Sequence, residues 1–143
     1  MKIALGADHG GFQLKEKVAR LLEQLGHRVE DTGCHSSDSV DYPDFADPVV
    51  ALVADGDCDR GILICGTGIG MSLAANRNRK IRAANCHDEY TARMSREHND
   101  ANILCLGARV IGEGVAFDLI KVWLDTAFAG GRHQQRIAKY SDT

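Results

Sequence analysis

The sequence predicts an α/β protein in which a five-stranded parallel sheet lies between two layers of helices. Segments typical of strands alternate with segments typical of helices five times along the chain. This alternation is typical of parallel sheets, because each return to the same edge of the sheet needs a crossover helix. The chain has 143 residues, enough for one hydrophobic core. We therefore expect a Rossmann-like three-layer αβα sandwich, in a single domain over residues 1–143.

The first half of the chain predicts two strands and two helices. In order, these elements are a strand at 2–7, a turn at 8–11, a helix at 12–25, a strand at 27–31, a long polar loop at 32–44 and a helix at 45–54. Gly26 is expected to end the first helix. For the second helix we expect Asp44 or Asp47 as N-cap and Pro48 in the first turn, where a missing N–H costs little.

The second half continues the alternation. Its predicted elements are a strand ending at Cys65, a helix that begins near Met71, a strand at 80–84, a helix at 89–97, a strand at 101–106, a helix at 113–128 and a basic tail at 132–140 compatible with one more short helix. Asp88 is expected to cap the helix at 89–97. Gly130 and Gly131 are expected to end the last long helix.

Composition excludes several classes of protein. The net charge is −3 and no basic block is present, so we expect no nucleic-acid and no membrane partner. The apolar runs are too short for a membrane span or a signal peptide. Five cysteines without a C-x-x-C pair predict reduced thiols in the cytoplasm. The histidines and carboxylates lack metal-ligand spacing, and we expect no metal.

The stretch 61–71 carries the strongest functional signal. A short apolar strand ends in Cys65 and is followed by Gly66, Gly68 and Gly70. A strand, a glycine turn and a helix N-terminus bring backbone N–H groups together where an anion can bind. A thiol at such a place is partly stabilised as thiolate and can act as a base or nucleophile. A buried structural cysteine beside a tight turn explains the stretch about equally well.

The parallel sheet shifts this balance toward function. Ligands of open α/β sheets bind beyond the carboxyl ends of the strands. Asp8 and His9 follow the first strand, Cys65 follows the third, and Arg109 follows the fifth. These side chains are therefore expected at one edge of the sheet. We expect no catalytic role for the remaining cysteines or for His27, His35, His87 and His133.

Five short motifs occur in one order along the chain. They are DHGG at 8–11, DYP at 41–43, CGTGIG at 65–70, SREHND at 95–100 and GGRHQQR at 130–136. Together they resemble the ribose/galactose isomerase family, which contains the type B ribose-5-phosphate isomerases and the allose-6-phosphate and galactose-6-phosphate isomerases. The resemblance covers essentially the whole chain. It implies the interconversion of an aldose phosphate and its ketose without metal or organic cofactor.

The resemblance also implies roles for individual residues. Cys65 would be the base that moves a proton between C1 and C2, and His98 would open the furanose ring. Some relatives carry a glutamate base just after the glycine loop; Met71 stands there in this chain and cannot take a proton. Thr67 is assigned to catalysis through its hydroxyl, the alternative being a turn residue. The substrate-binding positions would be Asp8, His9, Gly66, Thr67, Gly68, Ile69, Gly70, Asn99, Arg109, Arg132 and Arg136.

Two features of the second half bear on how the site is assembled. Arg132 and Arg136 are four residues apart, so on a helix they would share one face and bind a phosphate together; a solvated basic tail is the alternative. The helix that leads to His98 starts at the carboxyl edge of the sheet and must run to the other edge. We therefore expect His98 and Asn99 to complete the site of a neighbouring subunit, in a homodimer at least, with a tetramer left open.

The expected function is the interconversion of ribose 5-phosphate and ribulose 5-phosphate through an enediolate, as in the pentose phosphate pathway. An allose-6-phosphate or galactose-6-phosphate isomerase would use the same chemistry. A non-catalytic phosphate- or nucleotide-binding module is the alternative of another class. That module would need G-x-G-x-x-G after a strand with an acidic residue about twenty positions on, and the spacing of Gly66, Gly68 and Gly70 does not match it.

Overall fold

A computed structural model of the chain describes residues 1–142 and contains a five-stranded, all-parallel sheet. The strand order is β2-β1-β3-β5-β4. The strands are β1 (Lys2–Ala7), β2 (Arg28–Gly33), β3 (Arg60–Cys65), β4 (Ala83–Asn85) and β5 (Ile103–Gly107). The helices of the described part are α1 (Phe12–Gln24), α2 (Tyr42–Ala54), α3 (Ile69–Ala75), α4 (Glu89–Glu97), α5 (Glu113–Asp125) and α6 (Arg132–Ile137). The predicted αβα sandwich is confirmed.

The sheet separates two apolar layers, as alternating side chains on a strand require. Ile3 and Leu5 of β1 point into the layer that contains Trp123 of α5. Ala4, between them in sequence, points into the opposite layer with Val49 of α2. The inner strands are buried on both faces, and this is why they appear in the sequence as continuous apolar runs.

The second helix begins earlier than predicted. It starts at Tyr42 with Asp41 as N-cap, so the expected caps Asp44 and Asp47 are wrong. Pro43 occupies the first turn, where its missing N–H costs nothing, and Pro48 lies inside the helix. The polar loop predicted at 32–44 is correspondingly shorter, because β2 continues to Gly33 and α2 takes its last three residues.

Two further boundaries differ because side chains replace backbone pairing. β4 begins at Ala83 rather than at residue 80, because the side chain of Asn102 pairs with the segment before it. The Asn102 amide accepts from Arg82 N–H at 2.8 Å and donates to Lys80 O at 2.8 Å. α5 ends at Asp125 rather than at residue 128, where Thr126 is extended and its hydroxyl donates to a carbonyl of the last turn. Asp88 caps α4 as predicted, and the tail contains the short helix α6 as predicted.

In the described part of the chain, every helix is too short or too polar to span a lipid bilayer.

Candidate active site

Cys65 is the last residue of β3, and its sulfur receives a backbone hydrogen bond. Only 5% of the surface of Cys65 is exposed to solvent. The chain after it turns back so that Gly68 N–H donates to Sγ at 3.1 Å. A thiolate accepts such a bond more strongly than a thiol does. The structure thus places Cys65 against one backbone donor of the glycine loop.

The turn at Gly68 requires glycine for two independent reasons. Its φ is +78°, a left-handed conformation that disfavours side chains. A Cβ there would also overlap Asn85 Oδ1 and lie 3.0 Å from the carbonyl carbon of Leu106. The space beside Gly68 is therefore filled by neighbours from β4 and β5.

We expect Gly68→Ala to abolish most activity and to lower the free energy of unfolding by about 1–2 kcal/mol. The added methyl group strains φ and pushes the Gly68 N–H away from Cys65. Gly56→Ala is the matched control, because Gly56 has φ +82° with open space around it. Denaturant unfolding and steady-state kinetics on both variants check this. Full activity in Gly68→Ala would show that the loop geometry at sulfur does not matter.

Thr67 stabilises the turn through its own side chain. Its Oγ1 accepts from Ile69 N–H at 3.2 Å, and the residue is exposed. The structure therefore supports a turn role for Thr67, the alternative that the sequence left open. Because the Thr67 oxygen is the acceptor in this bond, the hydroxyl can still donate its hydrogen to a ligand oxygen.

Asp8 and Arg109 lie beside the glycine loop at the carboxyl edge of the sheet. Asp8 Oδ1 accepts from Gly10 N–H at 2.9 Å and Gly11 N–H at 3.1 Å, which makes it a turn residue as well. Arg109 N–H donates to Gly66 O at 3.0 Å, and a Cβ on Gly66 would lie 3.3 Å from Arg109 Nη1. Within residues 1–142 the exposed Arg109 guanidinium has no hydrogen-bonding or ionic partner, so it is free to bind an anion.

His9 and Tyr42 border the same edge. Nδ1 of His9 accepts from Val40 N–H at 3.2 Å, so the neutral ring carries its proton on Nε2 and can donate from there. Tyr42 begins α2 instead of lying in a loop, and its ring packs on the glycine loop: a Cβ on Gly70 would lie 2.8 Å from Tyr42 Cζ.

A second group of predicted residues lies at the opposite edge of the sheet. His98 follows the last turn of α4, and its ring stacks on His133 with centroids 4.2 Å apart. Asn99 O accepts from Nε of Arg82, the residue that precedes β4. The amino ends of parallel strands meet at this edge, away from Cys65. One chain therefore does not bring His98 and Cys65 together, as the direction of α4 predicted.

This second group is rich in positive charge. Arg132 and Arg136 are exposed on α6, one turn apart, and neither side chain has an ionic partner in the described chain. Desolvation, together with the charges of His98 and the two arginines, lowers the pKa of His133. The cluster is thus suited to an anion with several oxygens, such as a phosphate.

One group with metal-ligand spacing lies elsewhere. Ligand atoms of Glu16, Asp31 and His35 lie within 4.8 Å of one another, which the sequence spacing did not indicate. The buried Lys15 ammonium already contacts this group, at 2.6 Å from Asp31 and 2.9 Å from Glu16. Burial alone would lower the pKa of Lys15, but these hydrogen bonds outweigh it and raise the pKa above its usual 10.5. The Lys15 ammonium group thus neutralises part of the acidic charge here.

Asn85 and His87 are the residues near the loop that the sequence analysis missed. Asn85 Nδ2 donates to Thr67 O at 3.3 Å, and His87 Nε2 lies 3.2 Å from the same oxygen. Both residues come at or just after the end of β4. The rule that pointed to Asp8, His9 and Arg109, namely position after a strand, would also have found them.

Comparisons with known proteins find relatives that match nearly the whole chain. The family described as Ribose/Galactose Isomerase matches residues 3–140. A solved structure of ribose-5-phosphate isomerase B from Clostridium thermocellum is 55% identical, with a TM-score of 0.96, over 97% of this chain and 94% of that one. Ribose-5-phosphate isomerase B of Escherichia coli is 48% identical over 136 residues, which cover 95% of this chain and 91% of the relative. D-erythrulose-4-phosphate isomerase of Pectobacterium atrosepticum is 42% identical over 97% of this chain and 92% of its own length. The chain therefore belongs to the ribose/galactose isomerase family.

Proposed function

We propose that this protein interconverts ribose 5-phosphate and ribulose 5-phosphate, with Cys65 as the base. The observation that carries the proposal is the Gly68 N–H that donates to Cys65 Sγ at 3.1 Å, at a sheet edge where the Arg109 side chain has no partner in the described chain. This combines a sulfur that accepts a backbone hydrogen bond with a guanidinium that has no ionic partner among residues 1–142. Relatives at 48% and 55% identity bear the name ribose-5-phosphate isomerase B.

The reaction follows from a proton transfer between adjacent carbons. The thiolate of Cys65 takes the proton from C2 of the open-chain aldose, the electron pair forms the C1=C2 bond, and negative charge moves to O1. The same thiol then returns the proton to C1 while the proton of the C2 hydroxyl passes to O1, which leaves a ketone at C2. A backbone N–H aimed at the developing oxyanion contributes about 3–4 kcal/mol in comparable sites. Gly66 and Gly70 are the proposed donors, and no step uses a metal or organic cofactor.

We assign the remaining roles by chemistry. His98 has a half-exposed imidazole for opening the furanose ring. Arg109, Arg132 and Arg136 supply the charge for the phosphate. The other proposed contacts to the sugar or phosphate come from Asp8, His9, Thr67, Gly68, Ile69 and Asn99.

The proposed enzyme is a homodimer whose sites are shared. Cys65 and His98 lie at opposite edges of one chain, so a complete site needs two subunits. A surface suited to such an interface adjoins the glycine loop: Ile69 and Leu73 share one face of α3 and are 54% and 65% exposed, and Tyr90 is 67% exposed. A tetramer made of two such dimers is the alternative assembly.

A substrate panel tests the proposed function. We expect ribose 5-phosphate to give the highest kcat/KM in the presence of a chelator, measured against erythrulose 4-phosphate, allose 6-phosphate and galactose 6-phosphate. The four-carbon sugar is included because the relative from Pectobacterium atrosepticum bears its name. A higher kcat/KM for another sugar phosphate would replace the proposed substrate. Binding without turnover of any of them would favour the non-catalytic module.

We also place the protein in the cytoplasm. All five cysteines are free and buried. Burial raises the pKa of Cys58, Cys86 and, most strongly, Cys105, so these three thiols stay protonated near neutral pH. Free thiols of this kind persist in a reducing compartment.

A further inference from the structure

The carbonyl oxygen of Thr67 is held by two side chains, one from the end of β4 and one from just after it. Asn85 Nδ2 lies 3.3 Å away and His87 Nε2 lies 3.2 Å away. A carbonyl can only accept, so Nε2 of His87 carries the proton in this contact. The oxygen also lies close over the end of β5, where a Cβ on Gly107 would be 2.7 Å from it. The Thr67 carbonyl is therefore fixed in direction.

That carbonyl belongs to the same peptide unit as the Gly68 N–H that reaches Cys65. A trans peptide is planar, and its C=O and N–H point in opposite directions. Two donors that hold the oxygen toward β4 therefore direct the N–H toward Sγ, at 3.1 Å. Rotation of this plane would move the donor away from sulfur.

The amide of Asn85 is not explained by stability alone. Its Oδ1 is buried and has no hydrogen-bond partner within the described chain, although buried polar atoms are normally paired. The missing side chain of Gly68 makes room for this oxygen. An apolar side chain of similar size would fill the space without leaving an unpaired oxygen. What leucine could not supply is the N–H that reaches Thr67.

We propose that Asn85 and His87 are positioning residues for Cys65, acting through the Thr67–Gly68 peptide. Their effect on turnover rests on the proposed function of Cys65 as base. Their effect on the Cys65 thiolate does not rest on that function, because it can be measured without any substrate. The two donors share one acceptor, so either can hold the peptide in part when the other is lost.

The test compares Asn85→Leu, His87→Phe and the double variant. The readout is the pH dependence of iodoacetamide alkylation at Cys65, followed by peptide mass mapping, alongside kcat. We expect the double variant to shift the alkylation midpoint upward by about half a pH unit or more, since a lost hydrogen bond to a thiolate favours the thiol. Each single variant should lower kcat by about two- to tenfold, and the double variant by more than the product of the two.

Several controls separate positioning from folding. Asn76 is the matched control, because its amide also bridges α3 and β4, donating to Ala83 O at 2.9 Å and accepting from Ala83 N–H at 2.8 Å. We expect Asn76→Leu to lower stability without moving the Cys65 midpoint. His87→Gln keeps a donor and should restore most of the loss seen in His87→Phe. Asn85→Leu should be as stable as the wild type or more so, since it removes an unpaired oxygen.

The outcomes are separable. Among the described residues, the other titratable or charged groups near Cys65 are Cys105 on β5 and Asp8, His9 and Arg109 in adjoining loops; they are unchanged in every variant. A wild-type alkylation midpoint in the double variant would overturn the inference. If the double variant does not fold, an unchanged alkylation midpoint in both single variants would overturn the inference instead. A shifted midpoint in a protein that isomerises none of the sugar phosphates would refute the proposed function and retain the inference.

Discussion

Cys65→Ala is expected to lower kcat for ribose 5-phosphate by about a thousandfold, with the protein still folded. A positioned acid–base group contributes about 10²–10⁴-fold, and alanine leaves no group that can take the C2 proton. Cys65→Ser should lower kcat to a similar extent, since the serine hydroxyl stays protonated near neutral pH. The measurement is isomerisation of ribose 5-phosphate without added metal, together with denaturant unfolding to show that the fold is kept.

Cys105→Ala is the matched control for this loss. Cys105 lies in β5, in the same apolar layer as Cys65, and is fully buried. Its replacement removes a core sulfur and should cost stability without a comparable loss in kcat. Should Cys65→Ala keep most of its activity, the base would be another group and the proposed mechanism would be wrong.

A mixture of two inactive variants is expected to recover activity. Cys65→Ala and His98→Ala each disable every site of their own homodimer. If each site takes Cys65 from one subunit and His98 from the other, a mixed dimer contains one intact site and one doubly disabled site. Random exchange of equal amounts makes half of the dimers mixed, so about a quarter of wild-type activity should return. The measurement is activity after unfolding and refolding the two variants together.

A second mixture controls for nonspecific recovery. Arg109 and Cys65 lie at the same edge of the same chain, so Cys65→Ala mixed with Arg109→Ala contains no intact site in any dimer. Per amount of total protein, that mixture should show about the mean of the two parent activities, with no gain from mixing. If the Cys65→Ala and His98→Ala mixture also stays inactive although mixed dimers form, His98 does not serve the partner's site.

Much of the fold could be predicted because its signals are local. A buried parallel strand must be apolar on both faces, so the strands appear as short apolar runs separated by helical patterns. The boundaries that were wrong depend on contacts between distant segments. The α2 start is an example: both Pro43 and Pro48 can stand in a first turn, and only the packed structure selects Pro43. Likewise, Asn102 replaces the pairing that would have extended β4.

The components of the candidate site could be predicted from the sequence alone. Cys65 at the end of an apolar strand, the glycines after it and the spacing of Arg132 and Arg136 are features of neighbouring residues. The direction of α4 also follows from connectivity, and with it the expectation that His98 lies far from Cys65.

The distant side chains that meet at the loop could not be predicted, because their contacts depend on the tertiary structure. β5 lies between β3 and β4, so residues of β4 reach the Cys65 loop only where the Thr67 peptide crosses the end of β5. Gly107 permits that crossing, because any Cβ there would collide with the Thr67 carbonyl. Asn85 and His87 thereby become partners of a loop some twenty positions earlier. Such a contact depends on strand order and on the absence of one side chain, and no local pattern in the sequence records either.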